Sequence, residues 1–314
     1  MNQSGFRHRL EYLGVSTATT LVRALPQRMV LALGTLLGLG FYTLDRPHRR
    51  LTLSNLASAF PTRSVPERRA IARGVFAHFG RLLFELLRFS GLSRDEMLAL
   101  VEIEGEDRVR SALAQGRGAL LVTGHFGFWE IQAIAHSLVF PPIAVVARTL
   151  DNPLLDELLG RVRTTTGNIV IQRRGGLRRI LRALGTNQGV GLLIDQHIHT
   201  PEAVVIDFFN RPAATTSAVA ALALRTGAPV IPVFAVPIGD GRYRMIYEHA
   251  VPPPDADTPD PLRVFTQRCT DVLEMYVRRY PALWLWMHRR WRDEVQHERT
   301  PGMFPAGARE ELES

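Results

Sequence analysis

The sequence predicts an α/β protein with a mainly parallel central sheet flanked by helices, preceded by an all-helical section. In the first hundred residues, apolar side chains recur at helical spacing. From about Val101 onward, short apolar runs alternate with helical stretches, which is typical of βα units and a parallel sheet. No repeat is visible along the chain, so a solenoid is not expected. The 314 residues, 46% of them hydrophobic, are enough to form a sizeable core.

Residues 1–100 are predicted to form a helical, membrane-associated section. Apolar residues follow a helical period over 10–25, 29–44 and 71–86, and Ser64 is a predicted cap of the last helix. The stretch 29–44 has no charged residue, yet it is shorter than the ~20 apolar residues that span a bilayer. Arginines flank both of its ends, as in helices held at an anionic interface. It is therefore expected to span the membrane, to lie in its interface or, as a third alternative, to be a buried core helix.

Residues 101–292 are predicted to form the α/β domain, and residues 293–314 a polar C-terminal tail. Because ligands of open α/β sheets bind beyond the carboxyl ends of the strands, the loops after these strands are candidate site positions. The predicted strands are 119–123, 143–147, 169–171, 190–194, 204–207 and 230–236, and the predicted helices are 126–138, 153–165, 175–187, 215–226 and 261–291.

All basic residues other than histidine are arginines, since the sequence contains no lysine. Mechanisms that need an ammonium group, such as a P-loop lysine, a pyridoxal Schiff base or a serine–lysine hydrolase, are therefore excluded. A formal net charge of +8 favours nucleic acid, an anionic membrane, a phosphorylated lipid or an acidic carrier protein as partner. No nucleic-acid-binding motif is present, so a nucleic-acid partner is not expected. The single cysteine, Cys269, excludes an internal disulfide framework and fits a cytosol-facing location.

His125 and Glu130 are the predicted catalytic pair. His125 directly follows the predicted strand 119–123 and precedes a helix. Five residues along a continuous helix would hold the two side chains ~140° apart, so the histidine must lie in a turn, which Gly124 and Gly127 permit. Glu130 on the first helical turn is then expected to reach back to one imidazole nitrogen, leaving the other as a base. The amides at the start of the helix are expected to stabilise an oxyanion.

Arginines near the same sheet edge are candidate substrate-binding residues. Arg148 follows the next predicted strand, and its guanidinium suits a phosphate. Asn152 lies at the turn into the following helix. Arg161 and Arg163 do not share one helical face, so at most one of them is assigned to the acceptor.

Asp195 and Gln196 end another predicted strand and are further candidate substrate-binding residues. Asp195 is expected to orient Arg148 or the acceptor. His197 and His199 form an H-x-H pattern that is also compatible with a metal site. This alternative predicts a metal-dependent hydrolase that combines these groups with the predicted catalytic pair.

Four blocks of the sequence, in order 124–130, 148–163, 195–216 and 284–290, together resemble one family. A weaker fifth block lies at 44–57, so the resemblance covers about residues 20–292. The chain resembles the bacterial lipid A late acyltransferases of lauroyl/myristoyl transferase type, within the wider lysophospholipid-acyltransferase-like group.

The resemblance implies a glycerolphosphate-acyltransferase-like fold and O-acyltransferase activity with no metal or other cofactor. His125 would deprotonate an acceptor hydroxyl, which attacks the thioester of an acyl carrier protein or of coenzyme A, while Glu130 orients the histidine. The implied acceptor is a phosphorylated glycolipid, a lipid A precursor, at the cytoplasmic face of the inner membrane. Arg289 and Arg290 are candidates to reach an anionic head group. The sequence has no G-x-S-x-G nucleophile motif, which fits direct transfer.

The sequence departs from the family pattern at His197, where a second aspartate is usual. This leaves the acceptor open: a phosphatidylinositol mannoside, a lysophospholipid or an amino-acid lipid is the alternative. Trp284, Trp286 and Trp291 are expected to pack in the protein or to lie in an interfacial belt.

Overall fold

The computed structural model describes residues 3–200 and 203–291. The predicted tail 293–314 lies outside these residues. The N-terminal section is helical, as predicted, and α4 begins at a capping box formed by Ser64 and Glu67. Its helices are α1 Gln3–Ala24, α2 Gln27–Leu44, α3 Arg46–Ala59, α4 Val65–Phe89 and α5 Arg94–Ala99.

A seven-stranded sheet follows, in the order β1-β9-β8-β2-β5-β3-β4. Every neighbouring pair is parallel except β8 and β9. A separate antiparallel hairpin is formed by β6 and β7. The strands are β1 Val101–Glu104, β2 Ala119–Thr123, β3 Ala144–Ala147, β4 Ile169–Gln172, β5 Gly189–Leu193, β6 Ala203–Asp207, β7 Pro212–Thr216, β8 Val230–Gly239 and β9 Arg242–Tyr247.

Helices cover both faces of this sheet, so the predicted fold class is confirmed. One hydrophobic core, which includes Phe234 and Leu273, lies between the sheet and α10 and α11, and a second, which includes Phe128 and Ile134, lies beneath α5 to α7. The helices are α6 Glu106–Leu113, α7 Trp129–Val139, α8 Pro153–Thr164, α9 Leu177–Gly185, α10 Ala218–Thr226 and α11 Pro261–Arg279, with a short 3₁₀ turn at Pro281–Leu283.

The predicted helix 261–291 is too long. The helix α11 ends at Arg279, because Tyr280 leaves the helical conformation with φ −130° and Pro281 follows it. The described chain beyond the 3₁₀ turn is not helical: it turns at residues 286–288 and passes alongside the loop that carries His125. Sequence reasoning therefore missed a segment that helps to build the site.

The helix α2 packs closely against α4 through glycines. A Cβ atom on Gly38 would lie 2.0 Å from the carbonyl oxygen of Phe76, and one on Gly80 would lie 2.2 Å from that of Gly34. By length and composition α2 is able to cross a membrane, and 17% of it is buried inside the protein. Its outer face does not fit the third alternative, a buried core helix. The large apolar side chains exposed on it include Met29, Leu33, Leu36, Phe41 and Leu44.

Candidate active site

His125 lies in a tight turn between β2 and α7, as the sequence predicts. Gly127 in this turn has φ +56°, and a Cβ atom there would lie 2.0 Å from the carbonyl oxygen of Ala235. The Gly127 amide donates to the carbonyl of Leu283. The Gly127 carbonyl accepts from Nε2 of His78 at 3.2 Å. The turn is therefore held by α4, by β8 and by the C-terminal segment, and this fixes the position of His125.

Asp195, two residues beyond the end of β5, orients the imidazole ring. Its Oδ1 accepts from Nδ1 of His125 at 2.8 Å, and its Oδ2 accepts from the backbone amide of His125 at 2.7 Å. The indole Nε1 of Trp284 donates to the same Oδ2 at 2.9 Å. Because Nδ1 donates to the carboxylate, Nε2 carries the lone pair that a base requires. The strands β2 and β5 are parallel neighbours, so their carboxyl ends, which His125 and Asp195 follow, lie side by side.

The buried carboxylate makes His125 more basic than an ordinary histidine. Burial alone would lower the pKa of His125, but the charge and hydrogen bond of Asp195 outweigh it, with a smaller contribution from Glu130, so the pKa is raised above 6.5. Burial alone would raise the pKa of Asp195, but His125 reverses that effect and the pKa lies below its usual range. The pair therefore favours an ionised Asp195 beside a histidine that readily accepts a proton.

Glu130 does not make the predicted hydrogen bond to the imidazole. Its two carboxylate oxygens bind Arg163 instead, at 2.9 Å from Nε and 2.6 Å from the terminal nitrogen. This bidentate ion pair is largely buried, with 15% of each side chain exposed. Glu130 lies in the first turn of α7 and binds Arg163 of α8, whereas Nδ1 of His125 is already occupied by Asp195. The predicted geometry was wrong because Asp195 takes the place expected for Glu130 and the Glu130 carboxylate is paired with Arg163.

The predicted link from Asp195 to Arg148 is also wrong, since Asp195 is buried under His125 and Trp284. Gln196 does lie at the site: its side-chain nitrogen is 3.5 Å from Nε2 of His125. It is exposed, as a residue that contacts a substrate would be.

The groups of the metal-site alternative do not converge. Glu130 is directed to Arg163, and Nε2 of His197 lies 3.2 Å from Nδ1 of His199. Among residues 3–200 and 203–291, no three His, Cys, Asp or Glu side chains are grouped as metal ligands. The arrangement around His125 supports acid–base chemistry by histidine.

A groove of about 500 Å³ lies at the carboxyl ends of β3 and β4 and is lined by α8. It contains four arginines and two acids, so its net charge is positive. Arg148 is 79% exposed there and makes a 3.4 Å contact with Asp151. Arg163 reaches the groove wall and links it to Glu130. The charged lining residues are Arg148, Arg161, Arg163, Arg179, Asp156 and Glu157.

Asn152 and Arg161, two further predicted substrate-binding residues near this groove, also have partners. The side chain of Asn152 caps α8 and donates to the carbonyl of His8 and the carboxylate of Glu11 in α1. It therefore joins α8 to α1 and is buried. Arg161 pairs with Glu157 at 2.7 Å but remains exposed at the groove.

The segment that follows the 3₁₀ turn forms the floor of the site. Trp284 pairs with Phe126 as an isolated bridge, and the Leu285 amide donates to the His125 carbonyl at 3.1 Å. Asn55 of α3 holds this segment by donating to the carbonyls of Trp286 and His288. Trp284 and Trp286 are fully buried, which confirms the predicted packing role. Nothing local in the sequence indicated that Trp284 contacts Asp195.

Arg290 does not reach a head group, because it is fully buried. It donates to the carbonyl of Ala214 and to the hydroxyl of Thr215, and it lies over the ring of Phe208. Arg289, its neighbour, is exposed and stays a candidate for contact with an anionic ligand.

We expect Trp284→Phe to raise the pKa of His125 by about half a unit. The substitution removes one of the N–H donors to Asp195, so more of the carboxylate charge acts on the imidazolium. An NMR titration of the His125 ring measures this shift. Trp286→Phe is the matched control, because Trp286 is equally buried and donates to the carbonyl of Pro281 instead. Equal shifts of the His125 pKa in both variants would contradict the role of the Trp284 hydrogen bond to Asp195.

Comparison with known proteins agrees with the resemblance seen in the sequence. Residues 4–293 match the family described as bacterial lipid A biosynthesis acyltransferase. The chain is 29% identical to the lipid A biosynthesis lauroyltransferase of Escherichia coli (strain K12), over 91% of this chain and 92% of the relative. It is 26% identical to a phosphatidylinositol mannoside acyltransferase of Mycolicibacterium smegmatis, over 91% of this chain and 93% of the relative.

A third relative, the lipid A biosynthesis palmitoleoyltransferase of Escherichia coli, is 25% identical over 91% of this chain and 92% of its own length. All three relatives are similar along nearly their whole length, and all three are named acyltransferases. Since the family match extends from residue 4 to residue 293, this chain belongs to the bacterial lipid A biosynthesis acyltransferase family and is an O-acyltransferase.

Proposed function

We propose that the chain transfers a fatty acyl group from a thioester donor to a hydroxyl of a lipid A precursor, with His125 as the general base. The observation that carries this proposal is the state of the His125 ring. Its Nδ1 is bound to the buried Asp195, and its Nε2 lies beside the exposed Gln196. A neutral histidine held in this way can take a proton from a substrate hydroxyl.

The bonds that form and break belong to the two substrates, and His125 carries the proton between them. As Nε2 takes the hydroxyl proton, the oxygen attacks the thioester carbonyl and a C–O bond forms. Collapse of the tetrahedral intermediate breaks the C–S bond, and the departing thiolate takes the proton back from His125. The ionised Asp195 stabilises the imidazolium between these two steps. The products are an ester and a free thiol.

Cys269 does not fit a covalent route through an acyl-enzyme. It is buried in α11, and burial raises the pKa of its thiol to about 12, with a smaller contribution from Asp271. A thiolate nucleophile is therefore scarce at neutral pH. This supports direct attack by the acceptor hydroxyl.

We assign the stabilisation of the oxyanion to the start of α7. The amides of Gly127 and Phe128 are bound to the carbonyls of Leu283 and Ala235. The amides of Trp129 and Glu130 open the helix, where backbone N–H groups have no partner in the preceding turn. We propose that these two donors bind the developing charge in the reaction.

Glu130 completes the catalytic pair through its charge rather than through a hydrogen bond. Its carboxylate adds to the basicity of His125, and it fixes Arg163 at the wall of the groove. We therefore propose that Glu130 both supports the base and connects it to the acceptor site.

The groove beside α8 is the proposed binding site for the phosphorylated head group. Its volume of about 500 Å³ lies in the range of small-molecule sites. Arg148 and Arg161 are exposed in it, and their planar guanidinium groups can hold phosphate oxygens in pairs. Arg289, exposed on the C-terminal segment, is a further candidate contact.

The exposed apolar faces of α1 and α2 are proposed to hold the enzyme at the cytoplasmic face of the inner membrane. In α1 these include Phe6, Leu10 and Leu13. Because α1 packs against α8 through Asn152, the groove lies close to these faces. A lipid head group is thus able to reach the groove while its chains stay in the bilayer.

Mass spectrometry of lipids from cells with and without the gene tests this function. We expect lipid A to lose one acyl chain on deletion, and the wild-type gene or His249→Ala, an exposed histidine away from the site, to restore it. The His125→Ala gene should not restore it. Loss of a chain from a phosphatidylinositol mannoside or another lipid, with lipid A unchanged, would instead establish the alternative acceptor, which the mycobacterial relative favours. An unchanged lipid profile would contradict acyl transfer.

A further inference from the structure

One stretch of the chain has an extreme charge composition. Between residues 158 and 194 there are seven arginines and neither aspartate nor glutamate, although the whole chain has 38 basic and 30 acidic residues. Protein surfaces that serve only solubility usually mix both signs of charge. The seven are Arg161, Arg163, Arg173, Arg174, Arg178, Arg179 and Arg182.

Three of the seven have partners near the groove. Arg161 and Arg163 pair with acidic residues of α8 and α7. Arg179 donates to the carbonyl of Val170 at 3.3 Å and lines the groove. The other four are exposed, and none of them forms an ion pair with another residue in 3–200 or 203–291. We call these four, Arg173, Arg174, Arg178 and Arg182, the arginine ridge.

The arginine ridge begins at the same sheet edge as His125. Arg173 and Arg174 directly follow the carboxyl end of β4, and Arg178 and Arg182 are one helical turn apart on α9. From β2, which precedes His125, the strand order runs through β5 and β3 to β4. Three strand spacings of ~4.8 Å place the start of the ridge ~14 Å from the base.

The ridge is turned away from the apolar helices. The connection from β3 through α8 to β4 runs towards the edge of the sheet, and the connection from β4 through α9 to β5 runs back towards its centre. Because such crossovers are right-handed, two that run in opposite directions place their helices on opposite faces of the sheet, α8 on one and α9 on the other. On its face α8 packs against α1, whereas α9 packs against α10. A protein partner therefore fits the ridge better than a membrane surface does.

Leu177, the first residue of α9, adds an apolar contact between the arginines. Its side chain is 54% exposed, and it stands between Arg174 and Arg178 in the chain. An apolar residue surrounded by charged side chains is the usual anatomy of a protein–protein contact with a polar rim. The arginines would attract and orient an acidic partner, and Leu177 would pack against it.

We propose that the arginine ridge is the docking surface for an acidic protein that carries the acyl thioester on a flexible arm. This rests on the proposed acyl transfer. The carrier lies on the α9 face, and its arm crosses the ~14 Å of sheet edge to His125. The donor thus reaches the base past β4 from the α9 side, and the lipid enters through the groove on the α8 side, with Arg179 of α9 at the border between the two routes. Association of this kind depends on charge and weakens with ionic strength.

Steady-state kinetics of Arg174→Glu/Arg178→Glu tests the proposal. With an acyl group on purified acyl carrier protein we expect KM to rise about tenfold or more and kcat to change less than about twofold. With the same acyl group on N-acetylcysteamine, which has no protein to dock, we expect no change. Arg117→Glu/Arg225→Glu is the matched control, because it makes the same change in net charge with two exposed arginines near the opposite sheet edge. It should behave as wild type with both donors.

The outcomes separate the docking surface from the reaction. Equal effects in the two double variants, or none in either, would overturn the arginine ridge while acyl transfer stands. So would a loss of binding to anionic phosphatidylglycerol vesicles in the ridge variant with unchanged use of the carrier-bound donor. A wild-type enzyme that uses only the coenzyme A thioester would also overturn it. If the wild type transfers an acyl group from no thioester, the proposed function itself fails.

Discussion

His125→Ala is expected to lower kcat/KM for acyl transfer by about 10²- to 10⁴-fold, the usual contribution of a positioned general base. The substitution removes the only group that the proposed mechanism uses to take the proton from the acceptor hydroxyl. KM for the acyl donor should change little, because the imidazole contributes to the proton transfer rather than to donor binding. Initial rates with purified enzyme and a defined acyl thioester measure the effect.

The matched control for this variant is His249→Ala, which removes an exposed imidazole that follows β9. It should retain wild-type rates. Since removing His125 leaves Asp195 buried with fewer donors, thermal unfolding of both variants should be measured beside the rates. A folded His125→Ala enzyme with wild-type rates would refute the assignment of the base.

Asp195→Asn is expected to lower kcat by about 10²- to 10⁴-fold. The charge that stabilises the imidazolium is lost, and the new amide is able to donate to Nδ1 and reverse the tautomer of His125. The pH dependence gives a second signature. In the wild type the base must be neutral, so the rate falls as the pH drops through the raised pKa of His125, above 6.5. Without the carboxylate, burial prevails and lowers that pKa, so this limb should move to lower pH.

Glu130→Gln distinguishes the effect of Glu130 on the pKa of His125 from that of Asp195. Its charge is the smaller influence on His125, so the acid limb should move in the same direction by less than in Asp195→Asn. A pH profile of kcat/KM for the three enzymes checks this order. A larger shift in Glu130→Gln than in Asp195→Asn would show that Glu130, not Asp195, controls the base.

The elements that local sequence signals describe were predictable, and the contacts between distant segments were not. The turn at His125 follows from Gly127, and the cap at Ser64 follows from Glu67 three residues later. The partner of His125 depends on β5 lying beside β2, a strand order that hydrophobic periodicity does not encode. Glu130 was therefore assigned to the neighbouring imidazole, although its partner Arg163 is 33 residues away.

Three strands also escaped prediction for identifiable reasons. In β9 the arginines Arg242 and Arg244 alternate with buried Tyr243 and Met245, so the apolar run is interrupted. The strand β7 was assigned in part to the start of the helix 215–226, because Ala and Thr fit both. The short strand β1 lies at the change from helical to βα pattern. Trp284 contacts Asp195 from 89 residues away, and only the folded chain reveals it.

The most direct test of the central claim, direct attack with His125 as base, is the intact mass of the enzyme during the reaction. Purified enzyme is mixed with an acyl thioester, first without and then with a lipid A precursor, and protein and lipid are both weighed by mass spectrometry. We expect the mass of the protein to stay unchanged throughout and an acylated lipid to appear only when the acceptor is present and His125 is intact. A protein that gains one acyl group before the acceptor is added, and then passes it on, would contradict direct attack by the acceptor hydroxyl.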